Sequence, residues 1–400
     1  MTTGQAVALL LDLALVLALC QVLGLLARRL GQPPVVGEIV AGILLGPTLF
    51  HGWIADTLFP VSTRPMLSAL ADVGVAMFMF LVGAELDQRI IRAHGRVVGW
   101  VSVGSLLLPF GLGVALAWWQ QPGDVRYALF LGTAMAVTAF PVLARIITDR
   151  GLSGTRVGGI ALASAAVGDV VAWTMLAIVV AAGGAPWRLL LAVPYLLLMT
   201  TVVRRVLPRV LRPGAVGTPA IVVFGVLLSG GLTELMGLHF IFGAFLFGLV
   251  TPRTERLHAD VTSRIGQLAT LFLPVYFVVA GFGVDLSTLD AGGLGLLGLV
   301  LLAAMGGKFA GVYTVARLTG MTARPAGALA TLMNTRGLTE LVLLTVGRQA
   351  GLLDTQMYSL MVAMAVLTTV MSGPLLRLFA PRDELLREEA LPVGDAVRTG

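Results

Sequence analysis

The chain has 400 residues, of which 57% are hydrophobic and only 12% charged, and its mean hydropathy is +0.94. A soluble domain carries about a quarter charged residues, so a soluble enzyme, a disulfide-stapled scaffold and a disordered chain are all excluded. Apolar stretches of about 20 residues separated by short basic or Gly/Pro-bearing links describe a polytopic, all-α membrane protein.

Thirteen spans are predicted in chain order, at about 5–27, 33–50, 66–86, 97–118, 127–147, 157–182, 187–207, 218–236, 239–251, 267–284, 292–316, 323–347 and 355–379. The first carries Asp12 and lacks a basic leader or an A-x-A site, so it reads as a retained span. One set of alternate links, with the C-terminal end, holds twenty arginines, among them Arg28, Arg29, Arg89, Arg92, Arg150, Arg204, Arg205, Arg256, Arg317 and Arg382. The opposite set holds four, Arg64, Arg126, Arg188 and Arg348. This bias places the N-terminus outside and the C-terminus in the cytoplasm, the plasma membrane being the expected location. It also explains the sequence pI near 10.2 without nucleic acid. The lone Cys20 and the scattered His51, His94, His239 and His258 offer no disulfide or resident metal cluster. No phosphate-binding G-x-x-x-x-G-K loop is present, and no cofactor is implied.

Residues 70–87, LADVGVAMFMFLVGAELD, resemble residues 268–285, LATLFLPVYFVVAGFGVD, with Asp87 and Asp285 lying 198 residues apart. Gly37, Gly42 and Pro47 are echoed by Gly243, Gly248 and Pro252, and RGL at 150–152 by AGL at 350–352. The topology gives the two copies opposite orientations, as in many secondary transporters. The same offset sets Thr138-Ala139-Phe140-Pro141, in the fifth span, against Asn334-Thr335-Arg336-Gly337, in the twelfth. Proline removes a backbone donor, and a polar run is costly in lipid. Matched breaks at mid-membrane depth are tolerated where they line a polar site, and crossed half-helices would balance their dipole ends there.

Several ionisable groups fall inside spans. Asp169 lies midway along the sixth, among small residues. Burial favours the protonated form of a carboxylate and a nearby cation the charged form, so such a group can sit where protons compete with a metal ion. Lys308 is the one lysine among 27 basic residues and lies within the eleventh span. Unlike arginine, a buried lysine can give up its proton. Arg336 and Glu340 stand one turn apart, and Arg336 is expected to serve exposed carbonyls and a carboxylate, with Arg145 in a similar role. Asp12, Glu38, Asp72 and Glu85 are placed to hydrate an access funnel.

At VTAFPVLARI (137–146), AAVGDVVAW (165–173), GGK (306–308) and MNTRGLTELV (333–342) the sequence resembles the monovalent cation:proton antiporter-2 family, close to plant CHX-type and bacterial Na+(K+)/H+ exchangers. The resemblance covers roughly residues 5–380. It implies a sodium/proton antiporter-like fold of about thirteen helices, an inverted repeat and two crossed broken helices. It further implies a dimerisation part at about 1–90 and 215–285, a core at about 97–182 and 292–380, a linker helix at about 187–207 and a short tail at 381–400. Asp169 matches the family's ion-binding aspartate, with Thr138 and Ser164 beside it as candidate cation and proton ligands, so that Na+ or K+ would bind there transiently. Lys308 matches the core lysine. Phe140, Pro141, Asn334, Thr335, Arg336 and Glu340 form and support the breaks. Where these antiporters commonly carry Asp, Asn or Gln before the aspartate, this chain has Gly168.

The implied activity is exchange of Na+ or K+ for H+ by a homodimer in the bilayer, through elevator-type alternating access, and not enzymatic catalysis. The rival on the same fold is proton-coupled export of a small metabolite or an ion–ionophore complex. His51 and Asp56 have the H-x4-D spacing of some acyltransferases without any supporting motif, an aspartyl protease would need a second Asp facing Asp169, and measurable coupled antiport would exclude a channel.

Overall fold

The computed structural model describes residues 3–49, 52–85, 95–152, 155–183, 188–211, 214, 217–287 and 289–379. Asp87, His51 and the predicted tail 381–400 lie outside them. The described residues are helical and irregular, with no strand. The helices are α1 (Thr3–Arg29), α2 (Pro34–Leu45), α3 (Trp53–Leu58), α4 (Arg64–Glu85), α5 (Gly95–Gln120), α6 (Val125–Ala136), α7 (Phe140–Asp149), α8 (Arg156–Ala182) and α9 (Arg188–Leu197). There follow α10 (Arg204–Val210), α11 (Thr218–Leu235), α12 (Phe240–Val250), α13 (Glu255–Gly281), α14 (Ala291–Leu301), α15 (Gly307–Leu318), α16 (Ala323–Met333), α17 (Leu338–Gln349) and α18 (Thr355–Phe379).

Ten helical segments among the described residues are long and apolar enough to cross a membrane, and α2 and α12 are shorter apolar helices. With the interrupted α16–α17 segment these correspond to the thirteen predicted spans. Four details differ from the prediction. Helix α13 begins at Glu255, a dozen residues before the predicted 267. Its polar first turns are carried by an apolar stripe, Leu257, Val261, Ile265 and Ala269, each buried and four residues from the next. Helix α3 lies in the link between the second and third predicted spans, for which no element is predicted. The seventh and eleventh spans each contain a π-helical turn, Leu198–Val203 and Leu302–Gly306.

Local signals explain several boundaries. Pro34 opens α2, where its missing N–H costs nothing. Asp124, Thr155 and Asp290 cap α6, α8 and α14 through their side-chain oxygens. Gly151 and Gly351, which follow α7 and α17, hold φ of 70° and 71°, the left-handed conformation that ends a helix without a Cβ clash. They are the glycines of the repeated RGL and AGL triplets.

Packing follows the internal repeat as well. Gly42 of α2 lies against Phe277 and Gly281 of α13, while Gly248 of α12 lies against Phe80 and Ala84 of α4, and Gly83 against Phe245. In both crossings a side chain on the glycine would collide with the partner backbone. Gly37 on the Leu23 carbonyl of α1 and Gly243 on the Ser229 carbonyl of α11 make a second matched pair. Small residues let apolar helices approach closely where lipid supplies no hydrophobic drive between them.

Two groups of helices result. Helices α1, α2, α4, α11, α12 and α13 pack mainly on one another, and α5 to α8 mainly with α14 to α18. Helix α9 touches α8 of the second group and its π-helical continuation touches α12 of the first.

Candidate functional site

The fifth and twelfth spans interrupt each other at the centre of the second group. Helix α6 stops at Ala136 and α7 starts at Phe140, with Pro141 in its first turn. Helix α16 stops at Met333 and α17 starts at Leu338. The intervening backbones meet: the Ala139 amide donates to the Thr335 carbonyl at 3.0 Å, and the Thr138 hydroxyl donates to the Met333 carbonyl at 2.9 Å. Thr335 also donates its hydroxyl to the Leu332 carbonyl. Thr138, Asn334, Thr335 and Arg336 are all buried.

Ending α6 at this depth strands its last carbonyls, which carry the negative end of the helix dipole. Two cations serve them. The Arg336 guanidinium donates to Ala134 O at 3.0 Å and to Met135 O at 2.5 Å, and Lys308 Nζ donates to the next two carbonyls, Ala136 and Val137. Both side chains are 0% exposed. Arg336 also bonds Glu340 Oε1 at 2.6 Å, in the first turn of α17, and its peptide is clasped by Thr369 of α18, whose hydroxyl donates to Arg336 O at 2.6 Å. Lys308 stands two residues after the π-helical turn Leu302–Gly306 in the eleventh span. Such turns carry an extra residue per turn and recur at functional sites.

Asp169 lies in α8 and is 1% exposed. Neither carboxylate oxygen has a hydrogen-bond partner among the described residues, although Lys308 is near enough for its charge to act there. The hydrogen bonds of Lys308 go instead to the α6 terminus. Asn334 Oδ1 and the Thr339 hydroxyl are likewise buried without a partner among the described residues. Ser164, also on α8, turns its hydroxyl towards Val98 O of α5 at 3.5 Å, five residues before Asp169. A Cβ on Gly168 would have only Leu106 Cδ2 nearby, at 3.9 Å, so space adjoins the aspartate. Four charged side chains, Asp169, Lys308, Arg336 and Glu340, thus converge in one buried region with formal charges that cancel.

Arg145 does not serve the break. It pairs with Asp149 at 2.9 Å on the protein surface, because α7 carries it out to the helix end. Asp12 accepts from the Thr63 hydroxyl at 2.7 Å, and Asp56 pairs with Arg64 at 2.6 Å.

Access to the crossing differs between the two faces, since the cavity of about 380 Å³ at Gln120, Tyr127 and Asp354 on the opposite face is lined by no residue of the breaks. On the arginine-rich face a cavity of about 360 Å³ is lined by Glu38 and reaches Pro141 and Leu338, in the first turns of α7 and α17. Beside it a cavity of about 580 Å³ reaches Thr369. On the opposite face the two helix groups are bolted together. Tyr276 and Thr345 hydroxyls lie 3.0 Å apart, Tyr358 donates to Ala280 O at 3.1 Å, Arg348 to Gly283 O at 2.7 Å, and His239 meets Gln349 at 3.2 Å. Sequence reasoning missed these closing residues: a lone Tyr or Gln near a helix end carries no distinguishing pattern.

Known proteins resemble this chain in sequence and in architecture. A family profile described as sodium/hydrogen exchanger, transmembrane, matches residues 14–380. A Na(+)/H(+) antiporter of Synechocystis sp. is 37% identical, the match covering 94% of this chain and 98% of the relative. Cation/H(+) antiporter 20 of Arabidopsis thaliana is 36% identical over 92% of this chain and 48% of its own, and K(+)/H(+) antiporter 1 of Saccharomyces cerevisiae is 32% identical over 95% and 48%. The chain therefore spans about half the length of these plant and yeast relatives. A solved structure of the sodium proton antiporter MjNhaP1 from Methanocaldococcus jannaschii superposes with a TM-score of 0.70 at 17% identity, covering 98% of this chain and 99% of that one. At that identity the likeness concerns the fold.

Proposed function

Because the chain belongs to the sodium/hydrogen exchanger family, we propose that it exchanges a monovalent cation, Na+ or K+, for H+ across a membrane. The observation that carries the mechanism is the buried Asp169 carboxylate without a hydrogen-bond partner among the described residues, set beside crossed helix breaks. A charged group there costs several kcal/mol, about 2.5–3.5 on insertion scales, unless it is protonated, paired or hydrated. Proton and cation thus compete for one carboxylate, and occupancy by either excludes the other. That exclusion couples the two fluxes.

In this reading Lys308 and Arg336 hold the α6 terminus and set the field around Asp169, while Glu340 keeps Arg336 in place. Thr138 and Asn334 contribute oxygens at the crossing. The α5–α8 and α14–α18 group is the mobile core, the group of α1, α2, α4 and α11–α13 the dimerisation part, and α9 the linker. The cavity on one face and the bolted contacts on the other support alternating access with the arginine-rich face open. The arginine bias supports that face being cytoplasmic and the plasma membrane being the location.

The test is antiport in proteoliposomes holding a trapped pH dye, with Na+, K+ or Li+ added in turn. Cation-driven pH recovery that vanishes in Asp169→Asn is expected. One titrating carboxylate gives 1:1 exchange, so a voltage dye stays silent. No response to any cation from folded protein would overturn the reading in favour of proton-coupled export of a metabolite.

A further inference from the structure

The larger cavity on the arginine-rich face does not fit a simple cation vestibule. Its volume is about 580 Å³, and its lining includes Arg28, Arg145 and Arg150 against the single acid Asp149. Asp149 is already engaged by Arg145 at 2.9 Å. Arg150 is half-buried, and its amide donates to Ile146 O while its guanidinium has no hydrogen-bond or ion-pair partner among the described residues. A general bias of arginine towards one face explains basic ends, but not their convergence around one concavity from different helix groups. Arg28 ends α1 in one group, whereas Arg145 and Arg150 lie at the end of α7 in the other. The opposite face shows how such an end is satisfied internally: Arg348, near the end of the repeat-related α17, donates to Gly283 O and lies over the Tyr358 ring, 5.0 Å from its centre.

We infer that this cavity is a binding site for a phosphate-bearing organic anion, held between Arg28 of one helix group and Arg145 and Arg150 of the other. The planar fork of guanidinium matches phosphate oxygens, and with Arg145 held by Asp149 the cavity still presents Arg28 and Arg150 from its two sides. The apolar Ile146, Leu152 and Leu376 in the same wall accommodate the organic remainder. Such an anion bridges the two groups and slows their relative movement; this consequence rests on the exchange reading, but binding itself does not.

The experiment uses the full chain and two sources of the same chemistry. In detergent at constant ionic strength, AMP and pyrophosphate are titrated while the melting temperature is followed. In nanodiscs, phosphatidylcholine is compared with phosphatidylcholine containing phosphatidic acid. A saturable rise in melting temperature is expected in one arm, with an apparent affinity weakened about tenfold in Arg28→Gln and in Arg150→Gln and partly kept in Arg150→Lys. A rise with AMP identifies a free organic phosphate and a rise in the nanodisc arm a lipid headgroup, whereas a rise with pyrophosphate alone overturns the organic part of the proposal. No saturable rise in either arm, or a rise retained in both glutamine variants, overturns the proposal. In proteoliposomes the active compound is then expected to slow cation-driven pH recovery from the arginine-rich face. Undiminished exchange at saturation overturns the bridging step. Absence of exchange in the unliganded protein counts against the exchange reading alone, since the melting assay stands without it.

Discussion

The amide of Ala139 donates to the carbonyl of Thr335 at 3.0 Å, joining the two interrupted spans backbone to backbone. Each break thereby satisfies part of the other's lost hydrogen bonding, which is how irregular backbone is accommodated away from water. The symmetry of the crossing stops there. The α16 end is served by neutral groups, the Thr138 hydroxyl among them, and the α6 end by the cations of Lys308 and Arg336. Positive charge is therefore concentrated at one of two otherwise repeat-related termini.

Thr138→Val keeps the shape of the side chain and deletes its donor to Met333 O. A buried acceptor left without its partner costs about 1–3 kcal/mol. Thermal melting in detergent is expected to fall and exchange to slow, while Thr138→Ser stays close to wild type. Equal melting and transport in wild type and the valine variant would show that the crossing does not depend on this bond.

Asp169→Asn should separate transport from stability. The carboxylate has no hydrogen bond among the described residues to lose, and the substitution removes a buried charge. The melting temperature is expected to hold or rise while cation-driven pH recovery disappears. A large fall in melting temperature would instead make Asp169 a structural residue.

Glu340→Gln breaks the fully buried 2.6 Å pair with Arg336 from the acidic side. Removing one partner of a buried pair costs about 3–5 kcal/mol, because the other charge stays behind. Strong destabilisation is expected. Arg336 keeps its two α6 carbonyls, so Glu340→Asp, which restores the charge on a shorter arm, should recover part of the loss. Melting curves of the two variants side by side decide it, and indistinguishable curves would remove the pair from the architecture.

The breaks, the repeat and the buried charges were legible because lipid makes each of them conspicuous. Proline at 141, the polar run from Asn334 and a solitary lysine at 308 stand out against an apolar background, and the offset of 198 residues ties the first two together. What Lys308 touches was not legible. Sequence marks a buried lysine able to give up its proton, and only the folded geometry shows that its hydrogen bonds go to the stranded carbonyls of Ala136 and Val137. Arg145 illustrates the same limit. It is expected to serve carbonyls as Arg336 does, but the ten-residue α7 carries it to the surface, where it pairs with Asp149. The early start of α13 was hidden because its polar turns dilute the apolar signal that marks a span.

Gly168 offers the sharpest check on the space beside Asp169. It lies inside α8, where glycine is less favourable than alanine by about 0.5–1 kcal/mol through its backbone freedom. A methyl group at this position would find its nearest neighbour in Leu106 Cδ2 at 3.9 Å, an ordinary contact. Gly168→Ala is therefore expected to raise the melting temperature slightly. If the space serves only as slack in the packing, exchange is unchanged. If a hydrated cation uses it on the way to Asp169, the alanine raises the cation concentration needed for half-maximal pH recovery while the proton dependence stays put. A titration of Na+ and K+ against wild type and Gly168→Ala at fixed pH distinguishes the two. Loss of folding in the alanine variant would contradict the open space on which both expectations rest.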